Sequence, residues 1–156
     1  MDGSSATLVL GYGNPARGDD GLGPALIERL ATLALEDLET RVDYQLCVED
    51  ALDIGDFDQV IFVDASIDVA PPYLHYPLPA TVIPATLDTH GISPEALIHL
   101  ARTLFGAETK ASILAIRGYD FEPFSESLSA EAARNLDAAF NYLAEKLRER
   151  EAGAEC

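Results

Sequence analysis

The chain has 156 residues, of which 48% are hydrophobic and 24% are charged, as is typical of a globular domain and not of a disordered segment. Its 27 acidic residues outnumber 10 lysines and arginines, which gives a net charge of −17. A surface this negative repels phosphate backbones and acidic lipid headgroups, so we expect no nucleic-acid partner and no membrane partner.

Cysteine content and the first residues indicate a cellular compartment. Cys47 and Cys156 are too few for a disulfide framework, which favours a reducing environment. The start of the sequence shows neither a basic export leader nor an apolar run long enough to span a membrane. We therefore expect a cytoplasmic protein, and we expect it to act as a monomer.

The first third of the chain predicts a strand, a glycine-rich turn, a helix and a second strand. Residues 7–10 form a short apolar run that ends in glycine, as buried strands do. Apolar residues then recur every three or four positions, which predicts a helix from near Asp20 to about Leu38 with Pro24 in its first turn. Alternation over residues 42–48 predicts the second strand.

The middle of the chain carries the clearest strand signal. Residues 60–63 are apolar on both faces, as in a central parallel strand, and end at Asp64. Prolines restrict the following segment to an edge strand at residues 73–76. Ser93 followed by Pro94 predicts the start of a helix, and Gly106 predicts its end.

The last third completes the predicted fold. Residues 112–116 predict a buried strand, and Ser129 opens a long helix with four core-facing residues, Leu136, Phe140, Leu143 and Leu147. This order of elements predicts an α/β class: one three-layer α/β/α domain over residues 1–156, with a mostly parallel twisted sheet of about five strands and helices on both faces. Residues 1–6 and 151–156 are expected to be flexible tails.

The glycine-rich turn offers a first functional hypothesis, a nucleotide-binding α/β domain. Residues 11–16 match the dinucleotide-binding fingerprint, with alanine in its third glycine position. However, Pro15 and the pair Asp19-Asp20 delay the helix by about one turn and place two carboxylates where a phosphate would lie. This hypothesis is therefore the least favoured.

Two acidic positions and one histidine are the candidate site residues. One of Asp19 and Asp20 is expected to cap the following helix, which leaves the other free to face the crevice beyond the strand ends. Asp64 follows a buried strand directly, at the sheet edge where open α/β folds bind ligands. His90 precedes the helix that begins after Ser93, and Gly91 would let the backbone bend there. Each of these residues could instead be an ordinary cap, turn or packing residue.

If Asp20, Asp64 and His90 converge in space, they could have either of two functions. Two carboxylates and one imidazole suit a borderline divalent cation such as nickel or zinc. The same group could poise an aspartate to activate water. The sequence contains neither a His-Glu-x-x-His motif nor a Gly-x-Ser-x-Gly motif, and Cys47 falls in a predicted strand, so a serine or cysteine nucleophile has little support.

Four segments resemble the hydrogenase maturation endopeptidases. They are Leu-Val-Leu-Gly-Tyr-Gly-Asn at residues 8–14, Asp-Asp-Gly-Leu-Gly at 19–23, Val-Ile-Phe-Val-Asp-Ala at 60–65 and Thr-His-Gly at 89–91. The resemblance extends over about residues 7–145. It implies an endopeptidase that removes a C-terminal extension from the precursor of a nickel-iron hydrogenase large subunit after nickel insertion.

The resemblance also implies roles for individual residues. The metal-contacting trio carries over to Asp20 (a glutamate in some members), Asp64 and His90, with Asp20 and Asp64 catalytic. Substrate contacts are expected at four further motif positions, Gly13, Asn14, Asp19 and Gly91. The metal is the nickel held by the substrate, so the free enzyme is expected to hold none. Some members carry Asp-Gly-Gly-Thr after the second strand where this chain has Val-Glu-Asp-Ala at residues 48–51, so no substrate-contact role carries over to that loop.

A physical argument fits this order of events. Two neighbouring carboxylates raise each other's pKa, and a nickel-loaded subunit would supply the compensating charge that a nickel-free subunit lacks. We hypothesise that Asp20, which adjoins the glycine turn, activates or orients the attacking water in an aspartic-type or metal-assisted hydrolysis. The non-enzymatic alternative is a maturation factor that binds the nickel-loaded subunit without cutting it.

Overall fold

The computed structural model describes residues 6–79 and 92–154. Its strands are β1 (Thr7–Tyr12), β2 (Leu38–Asp43), β3 (Gln59–Ser66), β4 (Tyr73–Pro77) and β5 (Lys110–Arg117). Its α-helices are α1 (Leu22–Ala31), α2 (Asp50–Ile54), α3 (Pro94–Phe105) and α4 (Ala130–Ala154), and a single 3₁₀ turn (Gly18–Gly21) precedes α1 in this described part of the chain. None of the helices in these two ranges has both the length and the apolar character that crossing a bilayer requires.

The strands form one sheet in the order β2-β1-β3-β5-β4. β1 pairs in parallel with both β2 and β3, and β3 pairs in parallel with β5. β4 is antiparallel to β5 and lies at the edge, where its proline removes no central hydrogen bond. The predicted class is therefore confirmed: a mostly parallel five-stranded α/β sheet.

Each face of the sheet packs against two helices. Successive strand residues point to opposite faces, so Leu8 and Phe62 join the core beneath α2 and α3, whereas Val9 and Ile61 join the core beneath α1 and α4. All four side chains are fully buried. These two cores separate the three layers that the sequence predicts.

The helix after Ser93 forms as predicted. The Ser93 hydroxyl accepts a hydrogen bond from the Ala96 N–H at 3.1 Å, Pro94 lies in the first turn, and Gly106 ends the helix in the left-handed region with φ 65°. α4 likewise begins after Ser129, and it continues to Ala154.

The segment after α1 differs from its prediction. The helix ends at Ala31 and not near Leu38, and β2 spans Leu38–Asp43 and not residues 42–48. Ala34 and Asp37 have φ values of 52° and 59°, in the left-handed region, which a continuing helix does not allow. The apolar spacing that suggested a longer helix arises because the loop itself packs leucines against the core beneath α1 and α4.

Candidate active site

The carboxyl ends of β1 and β3 form a crevice at the centre of the sheet. α1 follows β1 and packs on one face, whereas α2 precedes β3 and packs on the other. The chain passes from β1 through α1 to β2 on one side of β1, and then through α2 to β3 on the other side. The strand order therefore reverses at β1, which makes this the topological switch point where open α/β sheets bind ligands.

A cavity of about 380 Å³ opens at this point and contains both candidate carboxylates. Asp20 reaches it from the 3₁₀ turn, and Asp64 reaches it from β3. Ten residues line it: Tyr12, Gly13, Asn14, Arg17, Asp20, Tyr44, Gln45, Leu46, Asp64 and Ile92. Four of the predicted site residues, Gly13, Asn14, Asp20 and Asp64, are thus brought together.

Tyr12 and Asp64 also line a second cavity, of about 420 Å³. Its wall includes Tyr76 from β4 and Glu95 from the first turn of α3. The Tyr12–Asp64 pair therefore lines both cavities.

Asp64 is partly buried and has a perturbed acidity. Its pKa is raised to about 6: burial is the largest cause, the carboxylates of Asp20 and Glu95 add to it, and hydrogen bonds from the Tyr12 hydroxyl and the Ala65 backbone oppose it. A carboxylate with a pKa near 6 is ionised at neutral pH and basic enough to take a proton from water as a bond forms.

Tyr12 is a site residue that the sequence reasoning did not assign to a role. Burial and the neighbouring Asp64 carboxylate raise its pKa, so the hydroxyl remains a donor across the physiological pH range. A usable signal was present in the sequence: Tyr12 ends β1 and Asp64 follows the apolar core of β3, and ends of adjacent parallel strands meet at one edge.

The glycine turn positions Asp20. The Asn14 N–H donates to Asp20 Oδ2 at 2.8 Å, and the Asn14 side chain accepts from the Ala16 N–H at 2.9 Å. Gly13 has φ +143°, and a Cβ there would lie 2.1 Å from the Asp20 carbonyl oxygen. The turn therefore requires glycine at residue 13 to hold the Asp20 backbone this close.

Asp19 has a different environment from Asp20. It is fully buried, and its carboxylate accepts four hydrogen bonds from Tyr119, Asp120 and Ser129. Neither aspartate caps α1, whose N-cap is Gly21 without a side-chain bond, so the expected capping role is wrong. Asp19 instead joins the 3₁₀ turn to the loop between β5 and α4, and its predicted substrate contact stays a prediction.

His90 and Gly91 lie outside the described residues. Ile92, which directly follows Gly91, lines the cavity that contains Asp20 and Asp64. Within residues 6–79 and 92–154 no three His, Cys, Asp or Glu side chains form a group able to hold a metal ion. The role of His90 as third ligand therefore stays a prediction.

A pair of carboxyl groups behind the cavity was not predicted. Asp43 ends β2, its carbonyl accepts from the Gly13 N–H at 3.2 Å, and its Oδ2 is buried without a hydrogen-bond donor among the described residues. Burial and the adjacent Asp50 raise the pKa of Asp43 to about 6. A proton on Asp43 would let it donate to Asp50, which also accepts from the Cys47 N–H at 3.0 Å.

Several solved hydrogenase maturation proteases share this fold. The chain is similar to the [NiFe] hydrogenase maturation protease HycI from Thermococcus kodakarensis KOD1, with a TM-score of 0.75 and 21% identity over 94% of each chain. It is similar to the maturating endopeptidase HybD from E. coli, with a TM-score of 0.69 and 22% identity over 92% of this chain and 93% of that one. The fold expected from the sequence resemblance is therefore confirmed.

A third solved structure agrees. The hydrogenase 2 maturation peptidase from Thaumarchaeota archaeon SCGC_AB-539-E09 has a TM-score of 0.66 and 23% identity, over 92% of this chain and 98% of that one. No protein-family model and no curated protein sequence matches the chain. The similarity is thus one of fold.

Proposed function

We propose that this protein is an endopeptidase that removes the C-terminal extension from the precursor of a nickel-iron hydrogenase large subunit. The observation that carries the proposal is that the Asp20 and Asp64 carboxylates line one cavity at the switch point of a fold shared with hydrogenase maturation proteases. The sequence motifs that resemble this family supply those same two residues.

The environments of the two carboxylates suggest a division of labour. Asp64, held by Tyr12 and with a pKa of about 6, accepts the proton of the attacking water. Asp20, fixed by the Asn14 N–H, orients that water. The sequence-based hypothesis gave the activating role to Asp20, whereas the burial that raises the pKa of Asp64 favours Asp64 as the base. A metal-assisted reaction would use the same pair as ligands.

Nickel enters this proposal as part of the substrate. The negative charge of Asp20 contributes to the raised pKa of Asp64, so the free site carries unrelieved repulsion. A divalent cation presented by the precursor would reduce that repulsion, whereas a nickel-free precursor would not. The pair thereby favours binding of the nickel-loaded form, and His90 would complete the ligand set.

The test is a processing assay with purified nickel-loaded and nickel-free precursor, read by intact mass. We expect the wild-type protein to shorten only the nickel-loaded precursor, and Asp64→Asn and Asp20→Asn each to slow the reaction at least about a hundredfold. Asp56→Asn is the matched control, because Asp56 is exposed and lies before the amino-terminal end of β3, whereas the cavity lies at the carboxyl end.

Three outcomes would contradict parts of the proposal. Full-length precursor bound stably to the wild-type protein would indicate the non-catalytic maturation factor. Equal processing of nickel-free precursor would remove the role of the cation. Full activity of Asp20→Asn would exclude Asp20 from the chemistry.

A further inference from the structure

A separate cavity of about 350 Å³ lies at the amino-terminal end of β5, where β4 and α4 approach it. Gln59 and Lys110, which pair at the start of β3 and β5, both line it. In the same register Asp64 pairs with Ala115, five positions beyond Lys110 and three beyond Ser112, which places this cavity roughly 10 to 16 Å along the strands from Asp64.

The cavity collects positive charge in a strongly acidic protein. Lys110 and Lys146 are the two lysines of the sequence, and both line it. Across the described part of the chain, no carboxylate lies within ion-pairing distance of either ammonium group, whereas Arg29 and Arg41 each pair with a carboxylate. Two cations without carboxylate partners in a chain of net charge −17 form a local site for an anion.

A hydrogen-bonded chain of three side chains lies in the same cavity. His75 Nδ1 is 2.5 Å from the Tyr142 hydroxyl, and His75 Nε2 is 2.8 Å from Ser112 Oγ. Burial and the charge of Lys146 lower the pKa of His75, which keeps the imidazole neutral with one N–H.

The three hydrogen-bonded side chains have one more hydrogen than they have hydrogen bonds. The two hydroxyls and one N–H supply three hydrogens, and the three side chains make only two hydrogen bonds with one another. If Nε2–H donates to Ser112, Tyr142 donates to Nδ1 and the Ser112 hydrogen is unused. If Ser112 donates to Nε2, Nδ1–H donates to Tyr142 and the Tyr142 hydrogen is unused. In either tautomer one cavity-lining hydroxyl has a hydrogen to donate to a ligand.

We propose that this cavity binds a small oxyanion carrying two negative charges, with the phosphate group as its chemical class. Lys110 and Lys146 supply the compensating charge, and Ser112 or Tyr142 donates a neutral hydrogen bond to an anion oxygen. The volume accommodates a free phosphate or a small phosphomonoester. The site is independent of the proposed peptidase activity.

The test is a nuclear magnetic resonance titration of the full chain at pH 7.5 in low-salt buffer. Inorganic phosphate, methyl phosphate and acetate are added separately. We expect phosphate to shift the amide signals of His75, Ser112 and Lys146, with acetate binding at least roughly tenfold more weakly because it carries one charge. Tighter binding of methyl phosphate than of phosphate would identify a phosphomonoester as the ligand, and the reverse would identify the free anion.

Three variants separate the site from general charge effects. Lys110→Gln and Lys146→Gln should each weaken phosphate binding about tenfold, and Ser112→Ala should weaken it severalfold with an unchanged fold. Arg148→Gln is the matched control, because it removes the same charge from an exposed position on α4 outside the cavity. Equal weakening by Arg148→Gln and Lys146→Gln, or shifts that avoid the cavity, would overturn the proposal.

Discussion

Ser129 donates two hydrogen bonds to Asp19, from its backbone N–H to Oδ1 and from its hydroxyl to Oδ2, each at 2.7 Å and across 110 residues of sequence. The same hydroxyl accepts from the Ala132 N–H at 3.2 Å, so it also caps α4. The buried carboxylate thus links the turn that carries Asp20 to the start of the longest helix, and the candidate active site depends on this link for its shape.

Replacement of Asp19 should destabilise the whole domain. In the wild type, four donors share the two carboxylate oxygens of Asp19. Asp19→Asn keeps only one acceptor oxygen, so backbone N–H groups of residues 119–129 lose their partner. We expect the free energy of unfolding to fall by roughly 3 kcal/mol, measured by urea denaturation at pH 7. Asp137→Asn, which breaks only the exposed pair with Arg29, should cost under about 1 kcal/mol.

The Asp19 carboxylate should also make the stability of the fold depend on pH in the acidic range. Burial by itself would raise the pKa of Asp19, but the N–H groups of Asp120, Ser129 and Tyr119 outweigh it and hold the pKa below its ordinary value. A depressed folded-state pKa contributes stability above the unfolded value, and that stability is lost as pH falls through the folded value. Stability of Asp19→Asn should therefore change less than that of the wild type below pH 4. Parallel curves for the two proteins would contradict this.

Asp43 should act in the opposite direction. Its folded-state pKa of about 6 exceeds the unfolded value, so its contribution is fully present below the unfolded pKa and is lost as pH rises through about 6. Asp43→Asn cannot ionise, so its melting temperature should exceed that of the wild type by a margin that grows from pH 4 to pH 7. Thermal melts over this range measure the margin, with Asp56→Asn as control. A margin independent of pH would show that Asp43 ionises normally.

The Tyr12 hydroxyl should set the acidity of Asp64. Tyr12→Phe removes a hydrogen bond that lowers the pKa of Asp64, so that pKa should rise above about 6. Carbon-detected titration of the carboxyl signal measures it directly. In the processing assay the acidic limb of the pH profile should move to higher pH by the same amount. Tyr44→Phe, on the same cavity wall, should leave both unchanged.

Gly23 should tolerate no side chain. A Cβ there would lie 2.7 Å from the carbonyl oxygens of Tyr12 and Val63, because α1 packs directly on the ends of β1 and β3. Gly23→Ala should lower the free energy of unfolding by roughly 2 kcal/mol or more, since backbone must move. Gly55→Ala is the control: its φ is −65° and the nearest atom to its Cβ is 3.5 Å away, so its effect should be small. Similar losses for both would refute the packing argument.

Elements with a strong local signal were predictable. The apolar run at residues 60–63, the Ser93–Pro94 start and the Gly106 stop depend on burial and local backbone geometry, which neighbouring residues determine. The prediction failed between α1 and β2, because a leucine spacing compatible with a helix also allows a loop that packs on the core. Two left-handed residues, Ala34 and Asp37, decide between these conformations, and neither is a glycine that would have signalled the turn.

For the site, the sequence by itself determined that Asp64 follows a buried strand and that Asp19 and Asp20 follow a glycine turn, since strand ends and glycines are local features. Only the tertiary structure decided that Asp19 is buried and that Asp20 lines the cavity. The physical reason is that the donors to Asp19 come from residues 119–129, a hundred positions away, and hydrogen bonds across that distance exist only after the sheet has formed. The same holds for the Tyr12–Asp64 pair, which requires β1 and β3 to be neighbours.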